Sequence, residues 1–331
     1  MKSGLSKPRL ERLRGLLEAN VERGDLPGFV ALIHRHGQCH VMVGGTLALA
    51  GKERMQRDTI FRIASLTKPM LAAAAMAMVE EGSLRLDDPV DDLLPELADR
   101  RVLKSLDRPL DDTVPVRRPI TLRDLLTFRF GLGAVMAFPA RHPIQKAMEA
   151  AGVAPGPFGP TLTADQYMAR LGELPLIHQP GERWLYHTGS DVLGILLARA
   201  ADRPLADVLQ ERLFGPLGMK DTGFCVPAGK LARLACAYRH DAAAGGLVCL
   251  DRGKDGRWSQ SPVFESGGGG LVSTADDCLA FWCMMLDRGR HDGRRLLARP
   301  TVEAMTADQL LPSQKDGAEL FFGDSKGWGF G

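Results

Sequence analysis

The stretch Phe61-Arg62-Ile63-Ala64-Ser65-Leu66-Thr67-Lys68-Pro69-Met70 runs into Leu71-Ala72-Ala73-Ala74-Ala75-Met76-Ala77-Met78-Val79. A helix that is apolar on every side must be wrapped by protein, so this segment belongs at the centre of whatever core the chain builds. Ser65 and Lys68, three positions apart at its head, share one face, one turn apart. There the helix N-terminus favours developing negative charge, and a neighbouring amine can hold or accept the serine proton. A rigid buried element also fixes a nucleophile better than a loop does. Ser-x-x-Lys alone recurs by chance, so its weight rests on what surrounds it.

The chain has ample material for such a core: 331 residues, 45% hydrophobic and 25% charged, the balance of a soluble globular protein. That length suggests one large or two medium structural units. A net charge of +2 and the lack of a basic stripe interleaved with aromatics give no reason to expect a nucleic-acid partner. Residues 1–25 are charged and helical in pattern, with Leu10, Leu13, Leu16, Leu17 and Val21 on one side. They hold no uninterrupted apolar run, so no signal peptide is read. No segment reaches the roughly 18 apolar residues of a membrane span, and no membrane partner is expected. Cys39, Cys225, Cys236, Cys249, Cys278 and Cys283 are scattered, with no Cys-x-x-Cys pair. Reduced, buried thiols and a cytoplasmic place are the expectation.

After the first helix, residues 28–36 and 39–45 read as antiparallel strands joined by the turn at 36–38. His34, His36 and His40 lie there without a carboxylate or thiol at ligand spacing, so no metal is expected. Residues 59–63 form a strand leading directly into Ser65. The buried helix stops at Gly82, and an acidic loop, Asp87-Asp88-Pro89-Val90-Asp91-Asp92, follows; it lacks the Gly and terminal Glu of an EF-hand and is read as exposed. Residues 121–127 read as a short capped helix, 131–160 as a long Gly/Pro-rich excursion, and 163–171 as a helix whose Thr163 and Gln166 are spaced as a capping box. In Gln179-Pro180-Gly181-Glu182-Arg183-Trp184-Leu185-Tyr186-His187-Thr188-Gly189-Ser190-Asp191, Pro-Gly makes a turn and Ser190 or Asp191 caps a helix over 192–201. Tyr186 then sits on a loop, either as a packing residue or as a partner of Ser65. Further helices are expected over 204–213, 275–286 and 301–310, with short strands or loops between 225 and 260. The run Gly267-Gly268-Gly269-Gly270 lacks the partners of a phosphate loop and is read as close backbone packing beside a cleft. No cofactor is called for, and 326–331 look like a strand just beginning.

Gly323-Asp324-Ser325-Lys326-Gly327 matches the nucleophile elbow Gly-x-Ser-x-Gly. That motif requires a following helix and then an acid and a His later in the chain; the last His here is His291, so Ser325 is set aside. Ser65 does have partners available. Acyl transfer needs a base for the serine proton, an acid for the leaving group and an oxyanion hole. Lys68 serves if burial and nearby positive charge lower its pKa, Tyr186 can share or relay the proton, and the Ser65 N–H gives one oxyanion donor.

Six blocks in this order resemble the serine β-lactamase-like superfamily, nearest to class C β-lactamases and family VIII carboxylesterases. They are 61–68, Leu86-Asp87-Asp88-Pro89-Val90, 120–127, Pro180-Gly181 ahead of Tyr186, Asp191-Val192-Leu193-Gly194, and 267–276. The resemblance spans nearly the whole chain. It implies Ser65 as the acylated nucleophile, Lys68 as its partner and Tyr186 as the proton-shuttling phenol. The implied fold class is α+β, β-lactamase/transpeptidase-like: a mainly antiparallel sheet flanked by helices, plus an inserted mainly helical domain. The sheet domain is expected from 1–64 and 265–331, the helical domain from 65–264, with the Ser65 helix at their interface.

Three departures qualify the resemblance. The family's Tyr-x-Asn is Tyr186-His187-Thr188, which removes an amide that contacts β-lactams. The common His-Thr-Ser-Gly-Leu is Phe128-Arg129-Phe130-Gly131-Leu132. The third motif (Lys-Thr-Gly, His-Thr-Gly or Trp-x-Gly) is absent, and the chain is expected to be C-terminally incomplete, with that strand beyond Gly331. The expected function is hydrolysis of short-chain carboxylic esters, on a small-molecule ester or amide substrate. The alternatives are a β-lactamase or D-alanyl-D-alanine carboxypeptidase-like enzyme, or a non-catalytic binding protein that keeps the fold.

Overall fold

A computed structural model describes residues 4–137, 139–323 and 326–331. The chain divides into two compact units: residues 1–63, 217–262 and 271–283 form the first; 64–216, 263–270 and 284–331 form the second.

In the first unit the helix Lys7–Glu22 precedes an antiparallel hairpin of Gly28–Arg35 and Gln38–Gly45, joined at the expected turn. His36 and Gly37 take positive φ at its two-residue turn. Ile60–Arg62 pairs antiparallel with Val272–Thr274, and Ala237–Asp241 with Gly246–Asp251. The residues 217–262 join this unit because isolated bridges Ile60–Leu234 and Gly223–Val272 tie them to the short strands. The bounds expected from the sequence assigned that segment to the helical part; backbone pairing, which leaves no periodic mark in so irregular a stretch, draws it to the strands. Arg62 is the ionic centre of the unit: its guanidinium bonds the Asp251 carboxylate through Nε at 2.7 Å, donates to the carbonyl of Arg252, and stacks 5.2 Å from the centroid of Trp258. The two side chains are 8% and 5% exposed.

In the second unit the helix Thr67–Glu80 is buried nearly all round, with Met70, Leu71, Ala72 and Ala75 fully enclosed. It ends where Gly82 takes φ +77°, a conformation costly for any side chain. The helix Leu122–Leu126 carries a capping box of Thr121 and Asp124, with Arg118 clamped onto the Asp124 carboxylate at 2.6 Å. Thr163 and Gln166 form the second box, at the head of Ala164–Glu173. Within the Gly/Pro-rich excursion lies a helix not read from the sequence, Pro143–Ala151, begun by Pro143 and closed by Gly152 at φ +71°.

Among the described residues every named strand pair is antiparallel and two-stranded. The segment 326–331 is not a strand; its backbone instead bonds Gln309, Met305 and Leu126. The cysteines are all free thiols, but Cys39 and Cys249 are exposed and the other four only half-buried, so the expected burial does not hold. No helix is long and apolar enough to cross a membrane, and no metal-holding cluster of His, Cys, Asp and Glu occurs among the described residues. Ser325 lies outside the described residues.

Candidate active site

Everything below lies within the second unit. Ala64–Leu66 form one tight 3₁₀ turn before the buried helix, with Ala64 at φ +45°. The Thr67 hydroxyl donates to the Ala64 carbonyl at 2.7 Å and closes that turn. Ser65 is thereby held at the surface while Lys68, one turn further, points into the protein and is 2% exposed.

Ser65, Lys68 and Tyr186 come together. Lys68 Nζ donates to Ser65 Oγ at 3.1 Å, and the Tyr186 hydroxyl donates to the same oxygen at 2.8 Å. The Lys68 ammonium lies 4.6 Å from the Tyr186 ring centroid and also donates to the Gly268 carbonyl. Burial pulls Lys68 down to about 8, against the opposing pull of the Asp191 charge. An amine that titrates there is partly neutral near physiological pH, which an exposed lysine is not. Tyr186 is in turn held by a set of rings: Phe321 at 4.9 Å, Trp184 at 5.6 Å, Phe128 at 5.9 Å and Trp328 at 6.1 Å between centroids.

Two further groups were not anticipated. Asp191 does not cap a helix: the helix is Thr188–Ala201, begun by His187, and Asp191 lies in its first turn. Its carboxylate, 3% exposed, accepts from Ser266 Oγ at 2.7 Å and the Gly268 N–H at 2.9 Å, and its Oδ2 is 3.3 Å from His187 Nε2. Burial pushes Asp191 up, but the bonds from His187, Ser266 and Gly268 outweigh it and hold it below the ordinary carboxylate value. His187 sits at φ +82°, ψ −68°, and the Thr188 N–H reaches back over it to the Tyr186 carbonyl at 3.2 Å. That is a positive-φ γ-turn, a rare and strained conformation. The signal that would have found the pair is the i, i+4 spacing of His187 and Asp191 across a helix start. Thr188, where the resembled family has Asn, is fully buried and its hydroxyl has no hydrogen-bond partner.

The glycine run has its reason here. A Cβ on Gly267 would stand 2.4 Å from the Ser190 carbonyl oxygen, and one on Gly268 would stand 2.9 Å from His187 Nε2 and 3.0 Å from Asp191 Oδ1. Only residues without side chains let this backbone close over the site, as the expectation of close packing required.

Comparison with known proteins bears on the family and the fold. The Beta-lactamase family model matches residues 13–331. Protein Rv1367c of Mycobacterium tuberculosis is 42% identical over 269 residues, covering 79% of this chain; the chain spans 62% of that relative's length. Esterase EstB of Burkholderia gladioli is 31% identical over 338 residues, covering 97% of this chain and 78% of EstB. Among solved structures, EstCE1, described as a hydrolase with promiscuous acyltransferase activity, superposes with a TM-score of 0.79 at 30% identity, covering 97% of this chain and 81% of its own. The α+β architecture is therefore of the β-lactamase/transpeptidase type, and the chain belongs to the beta-lactamase family.

Proposed function

We propose that the protein is a serine hydrolase that cleaves short-chain carboxylic esters through an acyl-enzyme on Ser65. The observation that carries this reading is the convergence of Lys68 Nζ and the Tyr186 hydroxyl on one exposed serine oxygen. Neutral Lys68, or Tyr186 in concert with it, takes the Ser65 proton as Oγ attacks the ester carbonyl, and the carbonyl π pair moves onto oxygen. The Ser65 N–H is one donor for that oxyanion. Collapse re-forms the carbonyl, breaks the bond to the alcohol oxygen, and returns the proton to the leaving alkoxide. Water then repeats the sequence on the acyl-enzyme and regenerates Ser65. The esterase relative EstB supports an ester over an amide, as does Thr188 in the place of the amide that contacts β-lactams.

A second reading, transfer of the acyl group to an acceptor alcohol instead of water, is favoured by the rings around Tyr186, which offer apolar shelter from water, and by the description of EstCE1. Initial rates with p-nitrophenyl butyrate test the first reading: Ser65→Ala loses about 10³-fold or more in kcat/KM. Retained hydrolysis sinks it. Faster turnover of nitrocefin than of p-nitrophenyl esters would favour a β-lactamase. Failure of a fluorophosphonate to label Ser65 would favour a non-catalytic binder. Cell fractionation tests the proposed cytoplasmic place.

A further inference from the structure

The reaction above leaves one enclosed imidazole beside its proton carriers unused. His187 is 14% exposed, with Nε2 3.3 Å from Asp191 Oδ2 and Nδ1 3.5 Å from Lys68 Nζ. The other oxygen of Asp191 is committed to Ser266 and the Gly268 N–H, so Oδ2 remains for the imidazole. An ionised Asp191 fixes the proton on Nε2, and the bare lone pair of Nδ1 then faces the lysine. The chain accepts a strained backbone at φ +82° to put the ring there. Gly268 removes the side chain that would displace it. Strain kept at one side chain and cleared space around it are the marks of a functional position.

We propose that His187 is a positioning residue that, backed by Asp191, holds the proton Lys68 must shed before Ser65 can attack. The inference rests on the reading of Ser65 as the acylated nucleophile. The step is a proton exchange within the site. The Lys68 ammonium gives one proton to Nδ1, leaving a neutral amine facing Ser65 Oγ and an imidazolium paired with the Asp191 carboxylate. Total charge is unchanged, and the proton returns to Lys68 when the alcohol departs. The long Nδ1–Nζ separation is of the kind that tightens once a substrate is bound.

The titratable groups facing the ring are few among the described residues: Lys68 on the helix Thr67–Glu80, Tyr186 before it and Asp191 on its own helix. Tyr167, on the helix Ala164–Glu173, feels the Asp191 charge and is kept neutral by burial. The glycine run contributes Ser266 and backbone only. Lys68 and His187 therefore face one another across a single exchangeable proton, with Asp191 behind the ring. Without the imidazole, Lys68 must lose its proton to water while the Asp191 carboxylate nearby favours the ammonium. Both effects raise the pH at which activity appears.

The test is the pH profile of kcat/KM for p-nitrophenyl butyrate, with the rate of fluorophosphonate labelling of Ser65 followed in parallel. His187→Gly suits the positive-φ backbone, and circular dichroism confirms its fold. The expected result is an acid limb moved up by about one pH unit or more, with activity below the limb falling about tenfold for each pH unit the limb moves. His187→Gln, which can hydrogen-bond but cannot carry the proton, shows the same raised limb. A limb that stays in place or moves down in His187→Gly, or a wild-type limb in His187→Gln, overturns the inference while Ser65 labelling upholds the acyl-enzyme. Absence of Ser65 labelling in the wild-type protein sinks the acyl-enzyme itself, and the inference with it.

Discussion

Lys68 is enclosed at the cost of its charge, and that cost has a measurable sign. Its pKa falls from 10.5 in the unfolded chain to about 8 in the folded one. Between these values the unfolded state binds more protons than the folded state, so stability from this group rises with pH, from full penalty below 8 to none above 10.5. The span is on the order of 3 kcal/mol. Urea unfolding of wild type and Lys68→Met at several pH values should show wild type gaining on the variant between pH 8 and 10; a difference that is flat with pH would contradict it. In the proposed mechanism the same burial that weakens the fold readies the amine to accept the Ser65 proton. Lys68→Met is expected to lose ester hydrolysis about 10²-fold or more.

At the scale of elements, the glycine run 267–270 and the helix Thr188–Ala201 depend on each other. Gly267→Ala places a methyl 2.4 Å from the Ser190 carbonyl oxygen and 2.6 Å from Leu71 Cδ2. The contact is with backbone, which cannot swing away. A loss of about 2 kcal/mol or more in urea unfolding is expected, and unchanged stability would mean the run is looser than its contacts imply. The helix Leu122–Leu126 makes a gentler case: Thr121→Ala removes one half of its capping box and costs about 1 kcal/mol by the same measurement. In the first unit, Arg62 and Asp251 are both nearly enclosed. Asp251→Ala leaves the guanidinium its carbonyl partners and the Trp258 ring but no anion, so destabilisation of about 3 kcal/mol or more is expected.

Over the whole molecule, the six cysteines give a direct check on how the chain is wrapped. All are free, and only Cys39 and Cys249 are exposed. In the native protein two thiols should react rapidly with a thiol reagent such as DTNB, and six after denaturation; a different fast count would contradict the packing. Elements with strong local signals were legible along the chain: the apolar helix after Ser65, the capped helix at 121–127, the capping box of Thr163 and Gln166, the hairpin at His36-Gly37 and the placing of Ser65 and Lys68 on one helix face. Each follows from periodicity or turn chemistry within a few residues, and the ordered blocks add Tyr186 at long range. The remainder is settled where distant segments meet. Asp191 reads locally as a cap, because an Asp before an apolar run usually is one; it becomes a buried acceptor only when Ser266 and Gly268, some 75 residues on, fold against it. His187 reads as one polar residue in a loop, and only the backbone strain at φ +82° turns its ring between Lys68 and Asp191. Local pattern carries the energetics of short-range order, while the placement of charge in a core is set by partners that no local window contains.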